Sequence, residues 1–487
     1  MATKKDLVEA HAFSRRRLVT AFLSGAPGGR EVEPARPGRT IVGGVALAVL
    51  LVAAAAIASV LASKTEEDWN KVGLVVSREE AAPYVILEDE DDPELIPILN
   101  ITSAQLILGA DVEPTYVEQD VIEQQTPGET IGIFGAPQTL PRPSRFIEDG
   151  WTACTADGRG IMLGLRTGPD VDALDRGGVV VTNQGRDFLV ARAGDLAEVQ
   201  RAMVYPLPAA ADGSGGTDSV DAMLNELGLR ERAEAVEVPE DWLQLFPTGG
   251  ELAWESFQIE GAGTAPADPS AYPPGAEVGD YWGDGDEGLV LTSGGPMRLS
   301  AFALQVYRYS PIPGKKPGKP GRLPRLLDGD PPLVSEETRT YLDASWPDGP
   351  LEQLTYDPCA LLVTDPEGVP GVELVQNPGD PISAAGLDDP ALVDYSIEDG
   401  RGAYVQSGDW DDVRGLRSYV VDPRGTAYSL RDALTVEKLG YDEVPAPLVP
   451  DPWVELFGQG VDLSTSDALC PPSPEAPADR DCKELPS

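Results

Sequence analysis

Residues 180–190 read VVTNQGRDFLV, and residues 420–430 read VVDPRGTAYSL. Each is an apolar run, a glycine turn and a second run with alternating polarity, the pattern of a β-hairpin. The two align without gaps, and LVVSREEAAPYVIL, from Leu74, is a third, looser copy. A second pair is more detailed. LGL…VEVPEDWLQLFPTGGEL (residues 227–252) resembles LGY…PLVPDPWVELFGQGVDL (residues 439–463). Both carry Leu-Gly, then Val-Pro-x-x-Trp-x-x-Leu-Phe, then Gly. A proline pre-sets the first helical turn, and side chains four apart share a helix face. Trp242 with Phe246, and Trp453 with Phe457, are therefore expected on the buried face of a short helix in a repeated module. Stacking on a carbohydrate is the alternative use of such rings.

Around these repeats the same grammar continues. VGLVVS, GGVVVT, RDFLVARA, GLVLTS, CALLVT and RSYVVD are short strand-like runs bounded by Gly, Pro, Asp and Asn. Helical stretches are few, chiefly residues 219–232 and 432–439. The expected fold is α+β and β-rich, built of small units. Residues 310–332, SPIPGKKPGKPGRLPRLLDGDPP, read as an extended loop. Its Lys315, Lys316, Lys319, Arg322 and Arg325 make it a candidate contact for an acidic partner or a wall polymer.

One stretch stands apart. Residues 41–62, IVGGVALAVLLVAAAAIASVLA, are 22 residues without a charge. About 20 suffice to cross a bilayer core, so a single transmembrane helix is expected. A cleaved signal peptide is disfavoured by the 40 residues that precede it and by its length. Those 40 residues carry eight Lys/Arg against four acids, whereas the whole chain has net charge −44. Basic flanks stay inside, which predicts a cytoplasmic N-terminus and a large acidic extracytoplasmic part. Ahead of the span, KKDLVEAHAFSRRRLVTAFLSG has helical periodicity. Leu7, His11, Leu18 and Phe22 fall near one face, with Arg15 and Arg16 among them. This helix is expected to lie on anionic lipid or dock a cytoplasmic partner. His11 reads as a residue of that face rather than as a ligand.

The composition excludes several chemistries. An acidic surface does not track nucleic acid phosphates. His11 is the only histidine, so the rest of the chain has no imidazole for a Ser-His-Asp triad or a zinc site. There is no GxxxxGK[ST], and GKKPGKP at residues 314–320 lacks the Ser/Thr and the helix that a phosphate loop needs. A pair of carboxylates could hydrolyse a glycan without histidine, but no pair among 81 acidic residues is singled out. No catalytic residue, cofactor or metal site is expected. The acidic runs EDEDDPE and DYWGDGDEG do not fit a calcium-loop spacing. Four cysteines, Cys154, Cys359, Cys470 and Cys482, all follow the span, where disulfides form. Three pairings are possible. The nearness of Cys470 to Cys482 suggests a local loop, which leaves Cys154 to Cys359.

Taken in order, these pieces resemble EccB, a membrane component of the actinobacterial type VII (ESX) secretion machinery. AHAFSRRRLVTAFLSG and the span come first, then LIPILNITSAQLILG (residues 95–109) and IGIFGAPQTLP (residues 131–141). GWTAC, YVVDPRGTAYSL, LGY and VPDPWVELF follow. The resemblance implies a central β-rich core domain flanked by small repeat domains, and a conserved disulfide at Cys154 and Cys359. It implies self-association of the extracytoplasmic part and membrane partners of the EccC, EccD and EccE kinds, with a mycosin-type protease on the outer side. The domain boundaries expected are 1–40 (cytoplasmic helix and basic linker), 41–62 (span) and 63–125 (first repeat domain). Then come 126–178 (core, first part), 179–262 (central repeats), 263–395 (core, second part), 396–465 (last repeat) and 466–487 (Pro-rich tail). The expected function is a structural subunit that anchors and scaffolds the secretion complex. The alternative is a membrane-anchored envelope enzyme, an ATP hydrolase or a cell-wall polymer hydrolase.

Overall fold

The computed structural model describes residues 3–24, 47–48, 51–52, 68–194, 201–208, 219–283, 287–310, 312, 324–329, 331–332, 338–341, 345–364, 369–379, 382, 386–410, 416–473 and 482–485. The chain divides into two units, Met1–Glu67 and Asp68–Ser487.

In the first unit Lys4–Ser24 is a single helix. Thr3 opens it, its backbone N–H and its hydroxyl both donating to Asp6 Oδ2, at 2.9 and 2.8 Å. Such a bond satisfies a donor that the helix start would leave orphaned. The same two bonds hold the Asp6 carboxyl below its usual range. Of the apolar stretch 41–62, only Leu47, Ala48, Leu51 and Val52 are described; all four are helical and exposed. The expected span otherwise lies outside the described residues, as does most of the basic loop 310–332. Among the described residues no helix is long and apolar enough to cross a membrane.

The second unit is mixed α and β, rich in strands, and one strand order recurs through it. Gly73–Ser77, Pro83–Ile86 and Glu94–Pro97 form an antiparallel meander. The helix Ile101–Leu108 follows, and Pro114–Val117 returns parallel to the first strand. After a short helix, Gln119–Ile122, Thr126–Pro127 lies parallel to the third strand. We term this the first β-unit. Residues 403–459 repeat every step. So do residues 177–248, where a single parallel bridge from Val204 to Thr248 replaces the fifth strand. Residues 281–340 follow the order too. Three antiparallel strands lead into the helix Ala301–Tyr309, and parallel bridges join Tyr281 to Leu326 and Arg298 to Thr340. In chain order the β-units at 177–248, 281–340 and 403–459 are the second, third and fourth.

The observed register refines the alignment of hairpins. Val180–Val190 joins strands one and two of its unit, whereas Val420–Leu430 joins strands two and three. The copy at Leu74 is the true equivalent of Val180–Val190. In a meander every hairpin presents the same alternation and the same glycine turn, Gly185 and Gly425 both having positive φ. The Leu-Gly…Val-Pro-x-x-Trp pair is in register. In both copies the long helix ends on a left-handed glycine, Gly228 or Gly440. The next N–H reaches back five residues, Leu229 to Leu224 and Tyr441 to Val436, a Schellman closure. Pro239 and Pro450 then cap the second helix.

Between these units lies a six-stranded sheet. Its order is Val393–Ile397, Ile161–Leu165, Trp151–Cys154, Asp357–Val363, Gly371–Asn377, Asp172–Ala173, antiparallel except for the first pair. Alternation sorts its side chains. Trp151, Ala153, Leu163, Ala360 and Leu362 enter the largest apolar cluster, while Cys154, Cys359 and Val375 form a smaller one on the other face. The long helices pair across units. Ser219–Glu226 packs on Ala301–Tyr309, and Ile101–Leu108 on Ala433–Lys438. The second and third β-units thus share one core and the first and fourth another.

Candidate functional site

The expected docking helix carries its apolar side chains in the open. Leu7, Leu18 and Phe22 are 65%, 65% and 92% exposed, and His11, Arg15 and Arg16 are exposed beside them. At 100° per residue Leu7, Leu18, His11 and Phe22 fall within one stripe, with Arg15 at its edge. Among the described residues of its own unit nothing covers this stripe.

The remaining motifs converge on two places. The first is the junction of the first and fourth β-units. Asn100 caps the helix Ile101–Leu108 by accepting from the Ser103 N–H at 2.8 Å. Its amide nitrogen donates to the Ile133 carbonyl at 3.0 Å, and Ser103 Oγ accepts from the Ile133 N–H at 3.0 Å. Two side chains of one turn so fix both backbone groups of a single residue in the segment 131–141. The far end of that segment is held by the Tyr441 hydroxyl, which donates to the Pro141 carbonyl at 2.7 Å. Burial pushes the Tyr441 phenol far above its ordinary pKa, so the hydroxyl stays a donor at any physiological pH. Phe146, Tyr404 and Tyr441 make a triangle of rings with centroids 5.0 to 5.9 Å apart.

The second place is the six-stranded sheet. Trp242 and Trp453 are fully buried on the second helices, Glu240–Leu243 and Asp451–Glu455; these helices are shorter than expected, so Phe246 and Phe457 lie just past their ends and enter the cluster that holds Trp151 from there. Trp242 Nε1 donates to the Ala153 carbonyl at 2.9 Å, and its ring meets Phe246 edge-on at 4.9 Å. Phe457 instead meets Trp151 edge-on at 5.4 Å and stacks on Tyr395 at 6.0 Å. Gly425 is needed here twice over. Its φ is +79°, and a Cβ would meet the Tyr395 ring at 2.5 Å. On the opposite face Cys154 and Cys359 are direct cross-strand partners joined by a disulfide that spans 205 residues. Cys470 and Cys482 form the other disulfide, 12 residues apart. Sequence reasoning overlooked Asn100 and Ser103. Their signal is an N-cap pattern at the start of an apolar run, legible as a cap but silent about Ile133.

No described cluster of three or more His, Cys, Asp or Glu could hold a metal ion. An open cleft of about 680 Å³ lies beside the third β-unit, lined by Phe257, Gln258, Glu260, Met297 and Arg339 among others. It brings together none of the residues singled out by the sequence. What the described residues offer is packed junctions and a helix with an exposed apolar stripe.

Residues 1–472 match the family described as Type VII secretion system ESX-1, transport TM domain B. The chain belongs to the EccB family. It is a structural subunit of a type VII secretion system. Among curated relatives, the ESX-1 secretion system ATPase EccB1 of Mycobacterium tuberculosis is 24% identical over 456 residues, which is 88% of this chain and 87% of the relative. The ESX-3 secretion system ATPase EccB3 of the same species is 30% identical over 168 residues, 32% of this chain and 30% of the relative. Among solved structures, a chain of an intact ESX-5 inner membrane complex superposes with TM-score 0.59 at 20% identity. It covers all of this chain and 98% of that one. A chain of the EccB3 dimer from the ESX-3 core complex gives 0.59 at 20% identity, over 81% and 99%. These structures share the fold. The first of those chains belongs to an inner membrane complex and the second to a dimer of a core complex.

Proposed function

We propose that this EccB-family chain is a bitopic anchor of its secretion complex. Residues 41–62 cross the membrane once, the helix Lys4–Ser24 lies on the cytoplasmic side, and the unit from Asp68 onward stands outside. The basic residues before the span and the acidic excess after it support this orientation. In this reading the four β-units are repeat domains around the six-stranded core domain, and this part associates with further copies of itself. The helix engages membrane subunits of the EccC, EccD and EccE kinds. A mycosin-type protease and cell-wall polymer are the contacts proposed on the outer side.

The observation that carries the proposal is the helix face. Leu7, Leu18 and Phe22 are exposed, and apolar rings and methyls at such density on one stripe call for a covering surface. The relatives' names include the word ATPase; in this sequence no GxxxxGK[ST] is present, and assembly accounts for the residues described.

The test is gentle detergent extraction of the tagged full-length protein from its native membrane, then a native gel and mass spectrometry of co-migrating chains. A very large species with a multi-domain ATPase and a many-span protein is expected. Deleting residues 4–22 should release those partners while leaving the protein in the membrane fraction. Partner recovery unaffected by the deletion would overturn the docking role of the helix, and a monomer throughout would overturn the scaffold reading itself.

A further inference from the structure

The two disulfides differ in setting. Cys154 and Cys359 are buried between strands of the six-stranded sheet, at 3% and 0% exposure. Cys470 is buried at 5%, but Cys482 is exposed. Around this second bond three interactions cross from the fourth β-unit and the residues after it to the first. The Gly132 N–H donates to the Cys470 carbonyl at 3.0 Å. Lys483 Nζ lies 3.0 Å from Glu94 Oε2, on the third strand of the first β-unit. Leu463, Ala468 and Leu469, just before Cys470, sit in the same apolar cluster as Leu74, Ile96 and Ile107. Lys483 is positioned by its own N–H, which donates to the Leu469 carbonyl at 2.9 Å. Pro471 and Pro472 follow Cys470 directly, and a proline has no N–H to give to a helix or a ladder. A partly exposed ion pair alone contributes little. The disulfide is what brings Lys483 back to Glu94.

We propose that Cys470–Cys482 is a redox-operated clasp over the junction of the first and fourth β-units, opened by a dithiol before Cys154–Cys359 reacts. Opening is thiol–disulfide exchange. A dithiol thiolate attacks the exposed Cys482 sulfur and Cys470 leaves as a thiolate. The dithiol's second thiolate then displaces Cys482. The dithiol ends as its own disulfide, and the protein gains two electrons and, after protonation, two protons. Residues 482–485 are then free, the Lys483–Glu94 contact is lost, and the Gly132 amide loses the carbonyl that the clasp holds in place.

The experiment uses full-length protein in detergent, with dithiothreitol as the dithiol. Alkylation with mass analysis reads each cysteine, and hydrogen exchange reads the backbone. Cys470 and Cys482 should become alkylatable roughly tenfold or more faster than Cys154 and Cys359. Exchange should then rise roughly tenfold at Gly132 and Lys483, with residues 151–154 unchanged. Cys482→Ser should reproduce that exchange pattern without reductant. Glu94→Gln, with the disulfide intact, should loosen the Lys483 side only. Equal reduction rates for the two bonds would overturn the ordered opening. Unchanged exchange at Gly132 after opening, or a rise that spreads through residues 151–154, would overturn the clasp.

Discussion

The second and fourth β-units carry the same Val-Pro-x-x-Trp-x-x-Leu-Phe helix and bury it against the same sheet, yet they spend its aromatics differently. In the second unit Trp242 and Phe246 pack on each other, and the indole N–H reaches the Ala153 carbonyl. In the fourth, Trp453 Nε1 is buried without an acceptor, and Phe457, just past the helix end, packs on Trp151 and Tyr395 of the sheet. One motif thus makes a self-contained plug in one place and a bridging contact in the other. A repeated sequence fixes the local helix and its buried face; the partner of each ring is set by what the sheet offers.

The largest test of this contrast removes each ring. Trp242→Ala and Trp453→Ala should each lower stability by about 3–5 kcal/mol, read by denaturant unfolding of the protein from Asp68 onward in detergent-free buffer. If either costs under about 1 kcal/mol, its helix is not part of the shared core. Next is the staple on the sheet's other face. Cys154→Ser should cost about 2–4 kcal/mol through the 205-residue closure. An unchanged melting curve would show that the strands at 151–154 and 357–363 hold register by packing alone.

A finer cut separates the two units. Trp242→Phe removes a donor from a buried carbonyl and should cost about 1–2 kcal/mol more than Trp453→Phe, because Trp453 has no such bond to lose. Equal costs would mean that the difference between plug and bridge is not energetic. The smallest effect concerns an ion pair of the second unit. Arg232 bonds Asp221 through Nε and Nη2 at 3.0 Å each, and that pairing holds the Asp221 carboxyl below its usual range. A depressed carboxyl contributes stability that is present above its unfolded pKa and lost as pH falls through the folded one. Asp221→Asn should therefore cost about 1 kcal/mol near neutrality and progressively less below pH about 4. A deficit that stays constant down to pH about 2 would assign the effect to packing.

Much of this was legible in the residues. The helix Lys4–Ser24, the hairpins and the proline-capped Trp helices follow from periodicity and turn chemistry, which act within a dozen residues. The hairpin at 420–430 was matched to the wrong neighbour because a meander repeats its local signature at every turn. The third β-unit carries no readable copy. Its fourth and fifth strands are single bridges at Leu326 and Thr340, and the Pro/Gly-rich stretch separates them from the helix Ala301–Tyr309. The convergence of Asn100, Ser103, Ile133 and Tyr441 depends on which long helices pair, and the bond from Tyr441 to Pro141 joins residues 300 apart. No periodicity reports on that. The span, read from a charge-free run of 22 residues, lies outside the described residues except for Leu47, Ala48, Leu51 and Val52.

The nesting of the chain sets an order in time. Trp151–Cys154 has its neighbour at Asp357–Val363, so the six-stranded sheet stays open during synthesis until both inner β-units have been made. Those two can pair as soon as their helices exist, because they are consecutive. The first β-unit is made before either, yet the apolar face it shares with Leu439, Tyr441 and Leu463 finds its cover only when almost the last strand has emerged. Contacts that distant are slow to form. The earliest part of the unit from Asp68 onward to leave the ribosome is therefore the last to finish folding, and it is exposed to misassembly for the whole of the interval.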